Sequence, residues 1–307
     1  MRTRGQAWPA AVGLMADRAL GEPPLSPHPV ALFGRGMRAV ERGCYADRRA
    51  CGALHAGIGV AAGLTTGVAV GSTAVATYLA VAGRALAETA AMVSTALMAG
   101  DLEEARRLLP GLVGRDTTGL DEKEIARAVV ESVAENTVDA VVAPAVWGAV
   151  AGAPGALGYR AINTLDAMVG HRSPRYQRYG WASARLDDVA GWLPARTTAA
   201  LVAAARPATA GEVWRTVRRD ARAHPSPNSG VAESAFAAAL GLRLGGTNRY
   251  GNPARVELRP TLGSGRPPEP ADIAPAIELS RDVALVLAAA LAAAGLVTGR
   301  HRGDLTK

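Results

Sequence analysis

AGIGVAAGLTTGVAVGSTAVATYLAVAG, Ala56 to Gly83, runs for 28 residues without a charge between His55 and Arg84. A helix that crosses a bilayer takes about 20 apolar residues, so the stretch is long enough. Its side chains are small. Gly63, Gly67 and Gly71 recur at every fourth residue, on one helix face, and let a second helix approach closely. Glycine this frequent would weaken a helix in water. The stretch therefore predicts a membrane-embedded helix packed tightly on a neighbour.

Two further apolar runs extend the pattern. Ala140–Tyr159 is charge-free but interrupted by Pro144, Pro154 and several glycines. It predicts a re-entrant or kinked pair of helices. Val283–Gly299 is 17 residues of mostly Ala, Leu and Val, and Arg300, His301 and Arg302 follow at once as an interfacial stop. Thr197–Ala205 and Val231–Leu242 read as interfacial or core helices. Asp17 and Arg18 break the N-terminal apolar segment too early for a secretory signal. The expected fold is all-α: a polytopic integral membrane protein with re-entrant or interfacial helices and large polar loops. It reads as one membrane-embedded domain over residues 1–307, with a C-terminal apolar helix at about 275–299.

Composition narrows the function. The 307 residues are 49% hydrophobic and 20% charged, which excludes a disordered polymer. Cys44 and Cys51 are the only cysteines, too few for a disulfide scaffold or a structural zinc site. Net charge is +7, almost all of it arginine; Lys123 and Lys307 are the only lysines. The arginines are scattered with no aromatic-interleaved basic strip, so no nucleic-acid partner is expected. Residues 1–55 hold eight arginines, which by the positive-inside rule would put the N-terminal side in the cytoplasm; a single span would then place Glu135 and Asp139 outside, so either Ala56–Gly83 does not simply cross or a further weak segment restores the side.

The polar connections hold the candidate chemistry. Asp121 with Glu124 three residues on predicts a capping box. In the helix that follows, Ile125, Ala126, Val129, Val130, Val133 and Ala134 share one side. Glu131, Ser132, Glu135, Asn136 and Asp139 share the other. Glu135, Asn136 and Asp139 stand where this helix enters the apolar Ala140–Tyr159 run, and a carboxylate there is expensive unless it is functional. Asn163 and Asp166 lie one turn apart before Gly170. Trp181, Arg185, Asp188 and Trp192 share a face in a helix expected to end at Pro194, and Arg185 with Asp188 also fits a simple intrahelical ion pair. Asp187 points elsewhere, as an oxygen ligand. His224-Pro225-Ser226-Pro227-Asn228-Ser229-Gly230 is a stiffened loop opening onto a helix whose N-terminal N–H groups suit phosphate, unless the loop only caps it. Glu233 is in the first turn. Gly245–Gly251 reads as a second turn-rich loop.

A set of ordered blocks then points to one family. They include Gly114-Arg115-Asp116-Thr117, Glu131-Ser132-Val133-Ala134-Glu135-Asn136-Thr137, and Tyr159-Arg160-Ala161-Ile162-Asn163-Thr164-Leu165-Asp166. Gly180-Trp181-Ala182-Ser183-Ala184-Arg185-Leu186-Asp187-Asp188, His224-Pro225-Ser226-Pro227-Asn228 and Asn248-Arg249-Tyr250-Gly251 follow, with Pro27-His28-Pro29-Val30 near the N-terminus. Over residues of about 14 to 281 the chain resembles adenosylcobinamide-phosphate synthase, the CobD/CbiB family of late cobalamin biosynthesis. It departs from the family pattern at Gly21-Glu22-Pro23 and at Asp139-Ala140.

The resemblance implies an ATP- and Mg²⁺-dependent amide ligase in the cell membrane. Such an enzyme joins a corrinoid substrate, through a propionate of adenosylcobyric acid, to (R)-1-aminopropan-2-ol or its O-phosphate. The chemical route expected is an acyl phosphate, with charge neutralised on the phosphoryl group and a base for the amine. Asp139, Asp166 and Asp187 are expected to hold Mg²⁺, with Glu135 a further oxygen ligand or catalytic carboxylate and Asp188 catalytic. Arg160 and Arg185 are expected to offset phosphate charge. Asn136, Asn163, Ser226, Asn228 and Glu233 are expected to bind substrate or ATP. His224, or else His28, is the expected base. A rival from another class is a membrane carrier for an anionic corrinoid, for which buried carboxylates and arginines also serve.

Overall fold

The computed structural model describes residues 5–114, 116–171, 173–250 and 255–303. Arg115 and Gly251, from the blocks quoted above, lie outside the described residues, as do the side chains of Asn248, Arg249, Tyr250, Arg300, His301 and Arg302. In chain order the helices are α1 Ala7–Leu20, α2 Pro29–Cys44, α3 Arg49–Val70, α4 Thr73–Ala80, α5 Gly83–Met98, α6 Leu102–Leu108, α7 Glu122–Thr137 and α8 Ala143–Leu165. They continue as α9 Trp181–Ala190, α10 Trp192–Ala205, α11 Ala210–Asp220, α12 Ser229–Leu240 and α13 Ile273–Gly303. One antiparallel hairpin, β1 Leu244–Tyr250 with β2 Arg255–Leu262, is the only sheet among the described residues. Three helical stretches are long and apolar enough to cross a membrane: Arg49–Val70, Glu122–Gly170 and Pro270–Val297. The fold is that of a helical membrane protein.

The chain forms two compact units. The first comprises Met1–Ala82, Asp139–Pro194 and Leu287–Lys307. In it α3, α4 and α1 pack on α8. The small residues of α3 make this approach possible. A Cβ on Gly63 would stand 2.6 Å from Ala161 Cβ, and one on Gly67 would overlap the Pro154 backbone. The long apolar run itself is not one helix. Gly71 takes φ 68°, a left-handed conformation that ends α3, and the Ser72 side chain accepts from Val75 N to start α4. The third glycine of the stripe is therefore a stop signal and not a packing site. The second run is kinked as its prolines predict: Gly152 leaves the helical region at φ 71°, ψ −156°, two residues before Pro154. The helix at Trp181 ends at Ala190, earlier than expected. Pro194 lies in the first turn of α10, where its missing N–H costs nothing.

The second unit comprises Gly83–Val138 and Ala195–Val286. Here α7 begins with the expected capping box, Asp121 and Glu124 each accepting the other's backbone N–H. Its buried side, Ile125 to Val133, packs on α5 and α12. Ser132 departs from its polar assignment: it is buried and donates to Leu112 O at 2.8 Å. α12 is a core helix, buried from Ser229 through Ala238, and Gly241 at φ 66° terminates it. The segment beginning at Gly245, expected as a loop, is strand β1. Gly245 and Gly246 have φ 89° and 115°, and the register shifts between Leu244 and Gly246, so a bulge stands where two glycines looked like a turn.

Candidate active site

The expected site residues fall into two polar clusters, one in each unit. In the first unit, Tyr159 of α8 is buried and its hydroxyl donates to Asp139 Oδ1 at 3.2 Å. Asp187 of α9 is close enough to act on the same hydroxyl electrostatically, and it accepts from Asn163 Nδ2 at 3.4 Å. Arg160 is half-buried. Its Nε is shielded from solvent with no hydrogen-bond partner, while Asp139, Glu22 and Asp17 all lie within electrostatic reach. Asp139, Tyr159, Arg160, Asn163 and Asp187 thus form one polar cluster in this unit. Asp166 is in the turn Asp166–Gly170, with its Oδ1 in the space a Cβ on Gly170 would need. Arg185 and Asp188 form the intrahelical ion pair, 3.5 Å apart, with Arg185 largely exposed.

These donors fit Mg²⁺ by chemistry. Asp139 and Asp187 offer hard carboxylate oxygens, the type of ligand Mg²⁺ takes. Among the described residues no three His, Cys, Asp or Glu side chains gather as a metal site. One or two carboxylates are what Mg²⁺ commonly draws from a protein, the rest coming from water and nucleotide phosphates.

In the second unit a cavity of about 200 Å³ is bounded by α7, the 224–230 loop, the start of α12 and β2. Its wall includes Glu131, Glu135, His224, Ser229, Glu233 and Arg259. Glu135 Oε1 accepts from Ser229 Oγ at 2.8 Å. His224 Nε2 is 2.7 Å from Arg259 Nη1 and 3.6 Å from Glu233 Oε1. Burial holds the His224 imidazole below its ordinary pKa, against a raising hydrogen bond with Ser226. Glu131 accepts from Gly245 N at 2.9 Å and pairs with Arg127 at 3.3 Å; Arg127 also donates to the carbonyls of Gly245 and Thr247.

The 224–230 loop caps its own helix. Ser226 Oγ accepts from the backbone N–H of both Asn228 and Ser229, and Ser226 O accepts from Gly230 N. Those donors, expected to face phosphate, are already used. Asn228 Oδ1 accepts from Arg196 at 3.0 Å, and Asn136 Nδ2 donates back to Ser132. His28 caps α2, its Nδ1 accepting from Val30 N at 3.4 Å. Tyr159, Glu131 and Arg259 were not assigned from the sequence. The period-2 alternation of Arg255-Val256-Glu257-Leu258-Arg259 was the available sign that Arg259 is on a strand.

Membrane-length helices carrying carboxylates and an arginine, with a separate small charged cavity, define a membrane protein equipped for polar chemistry. The chain belongs to the CobD/Cbib protein family, whose model matches residues 10–280. It is 49% identical over 285 residues to the cobalamin biosynthesis protein CobD of Mycobacterium tuberculosis, covering 89% of this chain and 90% of that one. The CobD proteins of Klebsiella pneumoniae and Geobacter metallireducens are 44% and 42% identical, over 84% and 81% of this chain and 86% and 84% of theirs. No solved structure matches the chain.

Proposed function

We propose that this protein is an adenosylcobinamide-phosphate synthase, an enzyme of cobalamin biosynthesis that forms an amide between a propionate of adenosylcobyric acid and (R)-1-aminopropan-2-ol or its O-phosphate. The cytoplasmic membrane is its proposed location. The observation that carries the reading is the cluster of Asp139, Tyr159, Arg160, Asn163 and Asp187 within and beside an apolar helix, in a chain matched to its family almost end to end. Charged groups in such a setting are costly unless they serve chemistry.

A carboxylate and an amine do not condense in water, because oxide is a poor leaving group. Transfer of the terminal phosphoryl group of ATP to a propionate oxygen releases ADP and makes phosphate the leaving group. The amine nitrogen then attacks the carbonyl carbon. The C–O bond to phosphate breaks with its electron pair, and one N–H proton passes to a protein base. Mg²⁺, held by Asp139 and Asp187, would neutralise phosphate charge. Arg160 would do the same from the protein side. Tyr159 and Asn163 would orient the two carboxylates. Within the second unit, Glu135 is the group placed to hold a proton, since His224 Nε2 is already engaged by Arg259.

The test is reconstitution of the purified chain in lipid nanodiscs with adenosylcobyric acid, MgATP and either amine. Amide product with ADP released only when both corrinoid and amine are present supports the ligase. Corrinoid movement across liposomes without ATP turnover would replace this reading with a carrier.

A further inference from the structure

The outer face of α11 suits neither water nor hydrocarbon. Val213 and Thr216 are buried, and the helix packs on α12 and β2. The other side carries Trp214, 38% exposed, with Arg215 and Arg218 also exposed. At the helical period these three fall within a sector of about 100°. Arg222, exposed as well, follows Arg218 by four residues in the turn Ala221–Ala223. The helix's own carboxylates are already matched: Glu212 pairs with Arg215 at 2.7 Å and Asp220 with Arg219 at 2.6 Å. Arg218 and Arg222 meet no carboxylate among the described residues. Water leaves the indole unburied, and hydrocarbon strips a guanidinium of its hydration. The headgroup layer of a bilayer satisfies both groups.

The level of α11 is fixed independently. Arg206, four residues before the helix, pairs with Asp282 of α13 at 2.7 Å. Asp282 is the last charged residue before the apolar run Val283–Gly299. The pair therefore marks the edge of that run, and α11 starts from the boundary between hydrocarbon and water.

We propose that α11 docks on an anionic phospholipid surface, with the Trp214 ring among the headgroups and Arg218 and Arg222 against lipid phosphates. The docking is independent of the ligase reading. It also bears on the cavity of this unit. α11 leads through Ala221–Ala223 straight into His224, and Asp220 accepts from Gly263 N, just after β2, at 2.8 Å. A helix held on lipid steadies both segments.

The experiment places the full-length chain in nanodiscs of phosphatidylcholine and phosphatidylglycerol, with one lipid or the other dibrominated. Bromine quenches indoles at close range, and wild type minus Trp214→Phe isolates the Trp214 emission. Trp214 should prefer phosphatidylglycerol as its quencher by about fivefold or more. That ratio corresponds to about 1 kcal/mol, the contribution of one basic residue near an anionic surface. The preference should shrink in about 1 M salt, where the Debye length is about 3 Å. Arg218→Gln combined with Arg222→Gln should bring the two lipids to parity. Total emission of that variant against wild type gives the same contrast without a substitution at Trp214. Trp214 quenched by neither lipid, or a preference that the double variant keeps, overturns the docking. A preference abolished by millimolar ATP or inorganic phosphate also overturns it, and assigns the arginines to a soluble anion.

Discussion

Arg259 Nη1 stands 2.7 Å from Nε2 of His224. A guanidinium only donates, so Nε2 must accept, and the neutral imidazole carries its proton on Nδ1, 3.0 Å from Ser226 O. Both ring nitrogens are thereby engaged. His224 is set as the acceptor that positions Arg259, and protonating it would place a second cation against the first.

Acid should therefore weaken this unit. Burial lowers the folded pKa of His224 below its ordinary 6.5, so the unfolded chain binds the extra proton first. The stabilising contribution is complete above about 6.5 and declines as pH falls from there toward the folded value. Thermal unfolding in detergent should drop in midpoint between pH 7.5 and 5.5. His224→Asn should flatten that slope; equal slopes would show that His224 is not the titrating group.

Replacing Asp139 or Asp187 by Asn should lower the rate of amide formation by about 100-fold or more, the usual cost of losing a preorganised electrostatic contact. Asp166→Asn should cost less, because its carboxylate is folded onto Gly170. Initial rates in nanodiscs decide this, and near-wild-type turnover in Asp139→Asn and Asp187→Asn would remove the metal assignment.

The α3–α8 contact predicts opposite results from one chemical change. Gly67→Ala drives a methyl into the Pro154 backbone and should cost about 1–3 kcal/mol. Gly57→Ala meets nothing within 4 Å and should stabilise by about 0.5–1 kcal/mol through helix propensity. Unfolding midpoints of the two variants in the same detergent check the pair.

Ser226→Ala removes the acceptor for two N–H groups at the start of α12. The expected loss is about 1 kcal/mol of stability, with the rate of amide formation within about twofold of wild type. A large loss of rate at unchanged stability would make Ser226 a ligand-binding residue.

Much of this architecture was readable from local signals. The capping box at Asp121 and Glu124 and the kink before Pro154 are set by chemistry within a few residues, and both formed as expected. The break at Gly71 was hidden because one residue type serves two purposes: the same small side chain that admits a neighbour also permits positive φ. Gly245 and Gly246 misled in the same way, a bulged strand passing for a turn. The contacts of Asp139 with Tyr159 and of Asn163 with Asp187 join residues 20 and 24 positions apart and were not legible in the sequence. Arg259 was not legible, since 35 positions separate it from His224 and only a folded hairpin brings them together.

The hairpin carrying Arg259 is fastened to α7 by side chains one helical turn apart. Arg127 reads the carbonyls of Gly245 and Thr247, and Glu131 reads the N–H of Gly245. Glu135 is one turn further along the same helix. The cavity's acid and its guanidinium are thus yoked to a single rod. A substitution at Arg127, which does not line the cavity, should loosen the strand and slacken the grip on any guest without touching it.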